Sequence, residues 1–564
     1  MYLILPIAKV SAAQLILSLN ALSLAQIICA NSNAFSTMGE IRKFDPTHIM
    51  PLLNSLRNPS LQLMVRLLAI ALTALISISA VAKSTSANDL AALAFDESKG
   101  SRPELVNFLE GFPKGADLHN HLDGAVFSEH ALHSARQQGL NYDLDSNNFT
   151  DRELGGNVIG LDALGQNSDY FRAFREAFSL RAWKQVSGSG RDTFFGVFGR
   201  IFSSQIPQST MLKNVVRQAQ IQNIQHLELI SPVVPIDVQD KIDAALTEFD
   251  ITDLETAYAQ VSNIVAHDTT HKSVSARIDG WETKGLASES DTSVRYIGYI
   301  LRMINMRDFF VAAVSNLAAV NADDRIVSLT LVMPEDLPAA AAQFDEQMKV
   351  LDFLWKKMGQ PNISLHAGEL SLEDATLEVL KDRIRKSIDI GHSRRIGHGT
   401  SIAWEKDSTG LLQQMASNKT LVELCLSSNE AILDISGRDH PFDLYRKFKV
   451  PISLNTDDEG ITRSPLTMEF IRAIEDYALS YNDIVELARN SLEYSFLEGQ
   501  SLFNNGDYAS LRPSFNKHDF KKSMLSLDQT QLLADNPKLT AQVKFEQMLA
   551  NFEGTFRQRS VKHY

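Results

Sequence analysis

Four short runs finish in side chains that can hold a metal ion or move a proton. Asp117-Leu118-His119-Asn120-His121 ends the first and His366-Ala367-Gly368-Glu369 the second. Ile396-Gly397-His398-Gly399 ends the third and Leu454-Asn455-Thr456-Asp457-Asp458 the fourth. In an extended strand, residues two apart point the same way, so His119 and His121 can face one ion together. The chain has only two cysteines, Cys29 and Cys425. That excludes a disulfide framework and a cysteine-rich metal site, and it excludes the H-x-E…P-C-x-x-C pattern of cytidine-type zinc deaminases. Any metal must be held by His and carboxylate ligands. Taken singly, each run has a plainer explanation. A His after a strand often serves packing, and an Asp-Asp pair often caps a helix. The four together point to a metal site.

Such groups need a scaffold that brings distant runs to one place. From about 105 to 500, short apolar runs alternate with helix-like patterns. The runs are Ala116–Leu118, His226–Ile230, Arg295–Ile300, Ile326–Val332, Ile363–Leu365, Arg395–Gly397, Leu421–Leu426 and Ile452–Leu454. Helices are expected between them, including Ala341–Met358, Leu370–Ser387 and Phe442–Phe448. This alternation predicts an α/β fold with a parallel sheet and crossover helices. In a parallel barrel the active site lies at the C-terminal ends of the strands, where all four runs terminate. Glycine-rich phosphate loops and internal repeats are absent from the sequence.

The 564 residues allow a barrel plus extensions, and 44% hydrophobic with 22% charged residues is ordinary for a globular chain. A net charge of -14 argues against a nucleic-acid surface and favours a small substrate in a pocket. Met64 to Ala82 carries an Arg, an apolar run and Ala80-Val81-Ala82, the pattern of a secretory signal peptide. The run is short of the ~20 residues that span a bilayer, so no stable membrane anchor is expected after its removal. The expected organisation is an extension or first leader at 1–63, a signal peptide at 64–82 and an N-terminal segment at 83–104. The catalytic domain follows at 105–500, then a partly helical extension at 501–564. Translation is expected to start at Met64, and the product to be periplasmic or extracellular.

The run from Pro113 to Gly124 resembles the opening motif of the adenosine deaminase family. His366–Glu369, Arg395–Gly399 and Ser453–Asp458 resemble its later motifs, in the same order. The resemblance covers roughly 105–500 and implies a (β/α)8 TIM barrel. It implies one Zn²⁺ per chain held by His119, His121, His366 and Asp457, with His398 orienting a water and taking its proton. Glu369 would protonate the purine ring nitrogen, Asp458 would bind the far side of the purine, and Asp123 the ribose hydroxyl. The implied reaction converts adenosine or deoxyadenosine to the inosine form plus ammonia. Tyr170–Phe174 resembles the family's covering helix, which places Phe171 and Phe174 against the substrate. His392 and His440 are read as turn or supporting residues.

One segment departs from the family. Its fourth strand usually reads Gly-x-Asp-Leu-x-Gly-x-Glu, whereas this chain has Ser328 to Glu335, with Thr330 and Met333 at the positions expected beside the purine. Glycine admits close backbone approach because it has no Cβ; Met does not. A different aminopurine substrate therefore stays open, as do a non-catalytic binding protein on this scaffold and a two-metal hydrolase.

Overall fold

The computed structural model describes residues 86–181, 183–186, 189–286, 291–522 and 524–562. The leader and the proposed start at Met64 lie outside the described residues.

Eight strands carry the fold: β1 Gly115–His121, β2 Ile224–Ser231, β3 Ser293–Leu301 and β4 Ile326–Val332, then β5 Ile363–Ala367, β6 Ser393–His398, β7 Leu421–Leu424 and β8 Ile452–Leu454. Each pairs in parallel with its sequence neighbours. An isolated parallel bridge between Asn120 and Asp457 joins the first strand to the segment after the last. There the Asp457 N–H donates to the His119 carbonyl at 2.9 Å and the His121 N–H to the Asp457 carbonyl at 2.8 Å. The barrel is therefore stitched shut by the backbone of three residues singled out from sequence for metal binding. Helices follow most strands, as a (β/α)8 barrel requires.

All eight expected runs form strands because strands covered on both faces read as continuous apolar runs; β2 is buried along its whole length. The run at 421–426 stops early, at Leu424. Glu469 Oε2 accepts the Ser427 N–H at 3.1 Å, and a helix starts at Leu426 instead. A carboxylate at that helix start favours the switch. The helix expected at Ala341–Met358 runs Pro338–Lys357, and Phe442–Phe448 forms as expected. Leu370–Ser387 breaks into Leu377–Leu380 and Arg383–Asp389. The Ser371 hydroxyl engages Asp374 Oδ2 at 2.6 Å and accepts the Glu373 and Asp374 N–H groups, a local turn that competes with helix.

Four helices matter for what surrounds the barrel. Helix α1, Ala87–Ser98, starts at a capping box between Ser86 and Asp89. Helix α2, Gly190–Ser203, belongs to the long β1–β2 connection. Helix α3, Tyr481–Glu493, packs on β1 and β8, and helix α4, Pro537–Lys562, packs against α1 and α3. Phe108, Phe112, Phe552 and Phe556 form the aromatic seam between the two ends of the described chain. Residues 503–511 form a small hairpin and Leu527–Ala534 a helix. No helix among the described residues is long and apolar enough to cross a membrane.

Candidate active site

The C-terminal strand ends bring the four runs together. His119 Nε2 lies 2.9 Å from His366 Nε2, and His121 Nε2 lies 3.2 Å from the same nitrogen. Asp457 Oδ1 is 3.2 Å from His121 Nε2 and 3.5 Å from His119 Nε2. Donor atoms sharing one tetrahedral ion at ordinary bond lengths stand about 3.4 Å apart. Three imidazole nitrogens that converge on each other and on a carboxylate fit a cation, and the donor set is that of a His/carboxylate site. The same neighbourhood holds His398 beside His119, His366 and Asp457, and Asp458 beside His121 and Asp457.

Supporting contacts orient these ligands. Glu423 Oε2 accepts the His119 Nδ1–H at 2.8 Å, which leaves Nε2 bare for an ion. Thr330 Oγ1 sits 2.9 Å from His366 Nδ1. Glu423 is held in turn by the Ser364 hydroxyl at 2.9 Å and Arg395 Nε at 2.6 Å, and Arg395 also pairs with Glu228 at 2.7 Å. Burial opposes ionisation of Glu423, yet the Arg395 guanidinium and His119 keep its carboxyl below the ordinary range. The barrel interior beneath the cluster is thus a buried ionic layer. Gly397 belongs to this packing, because a Cβ there would stand 2.7 Å from His119 Cε1.

The other carboxyls behave differently. Burial, then the negative charges of Asp457 and Glu335, push Glu369 well above the ordinary carboxylate range. Its N–H donates to Glu335 Oε1 at 2.9 Å, which fixes the backbone of this residue. Burial and the charge of Asp457 raise Asp458 likewise, and burial pushes Asp123 up to about 6. Asp458 approaches so closely over Gly124 that a Cβ there would fall 1.5 Å from its Oδ1.

His398 lies 3.7 Å from Glu369 Oε1 and 4.0 Å from Asp457 Oδ2. Burial pushes its pKa down to about 3, so the ring is neutral. A chain of hydrogen bonds assigns its proton. The Phe442 N–H donates to His440 Nδ1 at 3.2 Å, and His440 Nε2–H donates to Asn429 Oδ1 at 3.2 Å. The Asn429 amide then donates to His398 Nδ1 at 3.0 Å, which leaves the proton on Nε2. His398 Nε2, Asp123 Oδ1 and Asp458 Oδ1 are buried polar atoms with no protein partner, and all three residues line one cavity of about 330 Å³. Buried polar atoms seek partners, so these are aimed at a ligand.

That cavity also takes His121, His366, Glu369, Asp457 and Met333. Phe171 and Phe174 do not line it. Phe174 is fully buried against Tyr142, Phe149 and Phe178, and Phe171 stacks on Phe174. Helix α2 covers the cavity in their place, through Phe194, Phe195, Phe198 and Phe202. Thr330, expected at the purine, instead stands behind His366. Met333 does reach the cavity and adopts φ +82°, a strained value for a bulky side chain. His392 lies elsewhere, bonded to Asp352 at 2.7 Å and stacked on Trp355. Glu423 and Asn429 gave no motif signal, since their importance comes only from contacts across the barrel.

A His/Asp cluster that could hold a metal ion, and a buried carboxyl raised above the ordinary range, thus sit at the C-terminal strand ends of a closed eight-stranded barrel. The adenosine deaminase family profile matches residues 254–502, which include His366, Glu369, His398, Asp457 and Asp458. Over that span the chain is similar to the adenosine deaminase family. His119 and His121 lie before the matched span and complete the cluster. An adenosine deaminase from Clostridium acetobutylicum is 29% identical over 135 residues, 24% of this chain and 37% of that protein. An aminodeoxyfutalosine deaminase from Streptomyces coelicolor is 32% identical over 134 residues, 24% of this chain and 32% of that protein. The chain thus spans less than half the length of these curated relatives. An adenine deaminase structure from Arthrobacter aurescens is 17% identical, with TM-score 0.43, over 68% of this chain and 94% of that one.

Proposed function

We propose that the chain is a hydrolytic deaminase of adenosine or deoxyadenosine, working with one Zn²⁺ held by His119, His121, His366 and Asp457. The observation that carries this reading is Glu369, a carboxyl that burial holds well above the ordinary carboxylate range beside a metal-type cluster. When bound, the ion supplies Lewis acidity that brings the pKa of water toward neutrality. His398, with its proton on Nε2, orients the attacking oxygen by donating to it, where the family resemblance implied that it takes a proton. Glu369 delivers its proton to the ring nitrogen next to the reacting carbon. Asp458 and Asp123 bind the purine's far side and a sugar hydroxyl through their open oxygens. Water adds to the carbon bearing the amino group and the carbon–nitrogen bond breaks. Of the two water protons, one restores the Glu369 carboxyl after it has protonated the ring nitrogen, and the other leaves on ammonia. A screen of ammonia release from adenosine, deoxyadenosine, adenine and other aminopurine nucleosides tests this. Release from adenosine or deoxyadenosine supports it, and release only from another aminopurine shifts the assignment to the second reading, which Met333 favours. The leader-like run at 64–82 supports export; a mature N-terminus near residue 83 from N-terminal sequencing is the expected result, and one near Met1 contradicts it.

A further inference from the structure

Helix α2 places Phe194, Phe195, Phe198 and Phe202 along one side of the cavity, and Leu301 and Met333 close it from the ends of β3 and β4. Phe202 is 53% exposed, Leu301 39% and Met333 36%. Three large apolar side chains therefore meet water at one mouth, an arrangement that favours an apolar occupant. No Lys or Arg among the described residues lines the cavity. The guanidiniums nearby are committed: Arg302 to Glu335, and Arg191 to Asp336 and Asp374. Inside, besides the His/Asp cluster and Glu369, the polar groups are the carboxyls of Asp123 and Asp458 and the Tyr299 hydroxyl. A phosphate brought here would shed water against phenyl rings and carboxyls without a cation in return. A second cavity of about 610 Å³ shares Tyr299 and Leu301 with the first and is lined by Val233, Ile236 and Ile304 together with Asp240, Asp243 and Asp308. The guanidinium lining that cavity, Arg277, is turned to the Pro232 carbonyl at 2.9 Å.

Resting on the deaminase reading, we infer that the site selects an aminopurine nucleoside whose end remote from the amino group carries an uncharged apolar substituent, and that it rejects nucleotides. The apolar mouth binds the substituent while the cluster and Glu369 hold the purine. The test is kcat/KM by ammonia release from adenosine, 5′-deoxy-5′-methylthioadenosine and AMP with the zinc-loaded protein. Covering one small apolar group at this mouth raises kcat/KM about tenfold over adenosine. AMP is expected about a hundredfold or more below adenosine. Adenosine equal to the methylthio compound, or AMP close to adenosine, overturns the inference while the deaminase reading stands. Ammonia from none of the three overturns both. Phe202→Ser is expected to narrow the methylthio-to-adenosine ratio; an unchanged ratio removes the mouth from the account.

Discussion

The two halves of this site are built on opposite terms. On the metal-facing half, ligands are backed by buried partners: Glu423 behind His119, Thr330 behind His366, and Arg395 tying Glu423 to Glu228. On the substrate-facing half, the wall is phenylalanine, leucine and methionine, and the polar atoms of Asp123 and Asp458 stand open. A rigid polar frame fixes chemistry, because ligand geometry must survive each turnover. An apolar wall with few polar points fixes which molecule enters, and it can change without disturbing that frame.

The largest expected effect comes where the halves meet. Glu369→Gln keeps the shape and removes the proton, so kcat is expected to fall about 10²–10⁴-fold with bound metal retained. A loss below tenfold would place the acid elsewhere. Next is the frame itself. Glu423→Gln weakens the hold on His119 Nδ1, and metal affinity, read by chelator competition, is expected to fall about 10–100-fold. Unchanged affinity would mean that the buried ionic layer serves packing alone.

A smaller effect is expected on the wall. Arg191, at the start of α2, bonds Asp374 at 2.9 Å and Asp336 at 2.5 Å. It thereby latches the covering helix to the loops after β4 and β5. Arg191→Ala is expected to raise KM about fivefold, on the order of 1 kcal/mol, with metal affinity unchanged. An altered metal affinity would merge the two halves.

The smallest effect separates a raised carboxyl used for chemistry from one that is not. Glu405 is buried away from the site, and burial pushes it up to about 7 against an ordinary 4.5. Its Oε1 accepts the Ile384 N–H at 2.5 Å. Below the ordinary value both folded and unfolded chains hold the proton. Between 4.5 and about 7 the unfolded chain releases it first, so this group's contribution to stability declines as pH rises through that window. Urea unfolding of Glu405→Gln is expected to lose that decline; an identical pH slope would discard it.

The frame was far more legible in the sequence than the wall. Buried parallel strands announce themselves as apolar runs, and a ligand motif such as His119-Asn120-His121 is local, so spacing alone carries it. The wall depends on which of two phenylalanine-rich helices reaches the cavity. Phe174 was drawn away by Tyr142 and Phe149, on the small antiparallel sheet of Asn141–Asp143, Asn148–Thr150 and Val158–Ile159, and by Phe178 at the end of its own helix, and the stretch after it took the place. Glu423 serves His119 from 304 positions away, and Asn429 sets a tautomer through His440. Neither relation leaves a local trace. Thr330 was misplaced because alignment to a motif gives a position along the strand, not the neighbour its side chain finds.

Metal titration bears most directly on the central claim. Protein stripped of metal is expected to release no ammonia from adenosine-type substrates, and activity is expected to return in proportion to added Zn²⁺ and saturate at one equivalent per chain. Ammonia release that is indifferent to stripping, or that saturates only at two equivalents, would contradict a single ion held by His119, His121, His366 and Asp457.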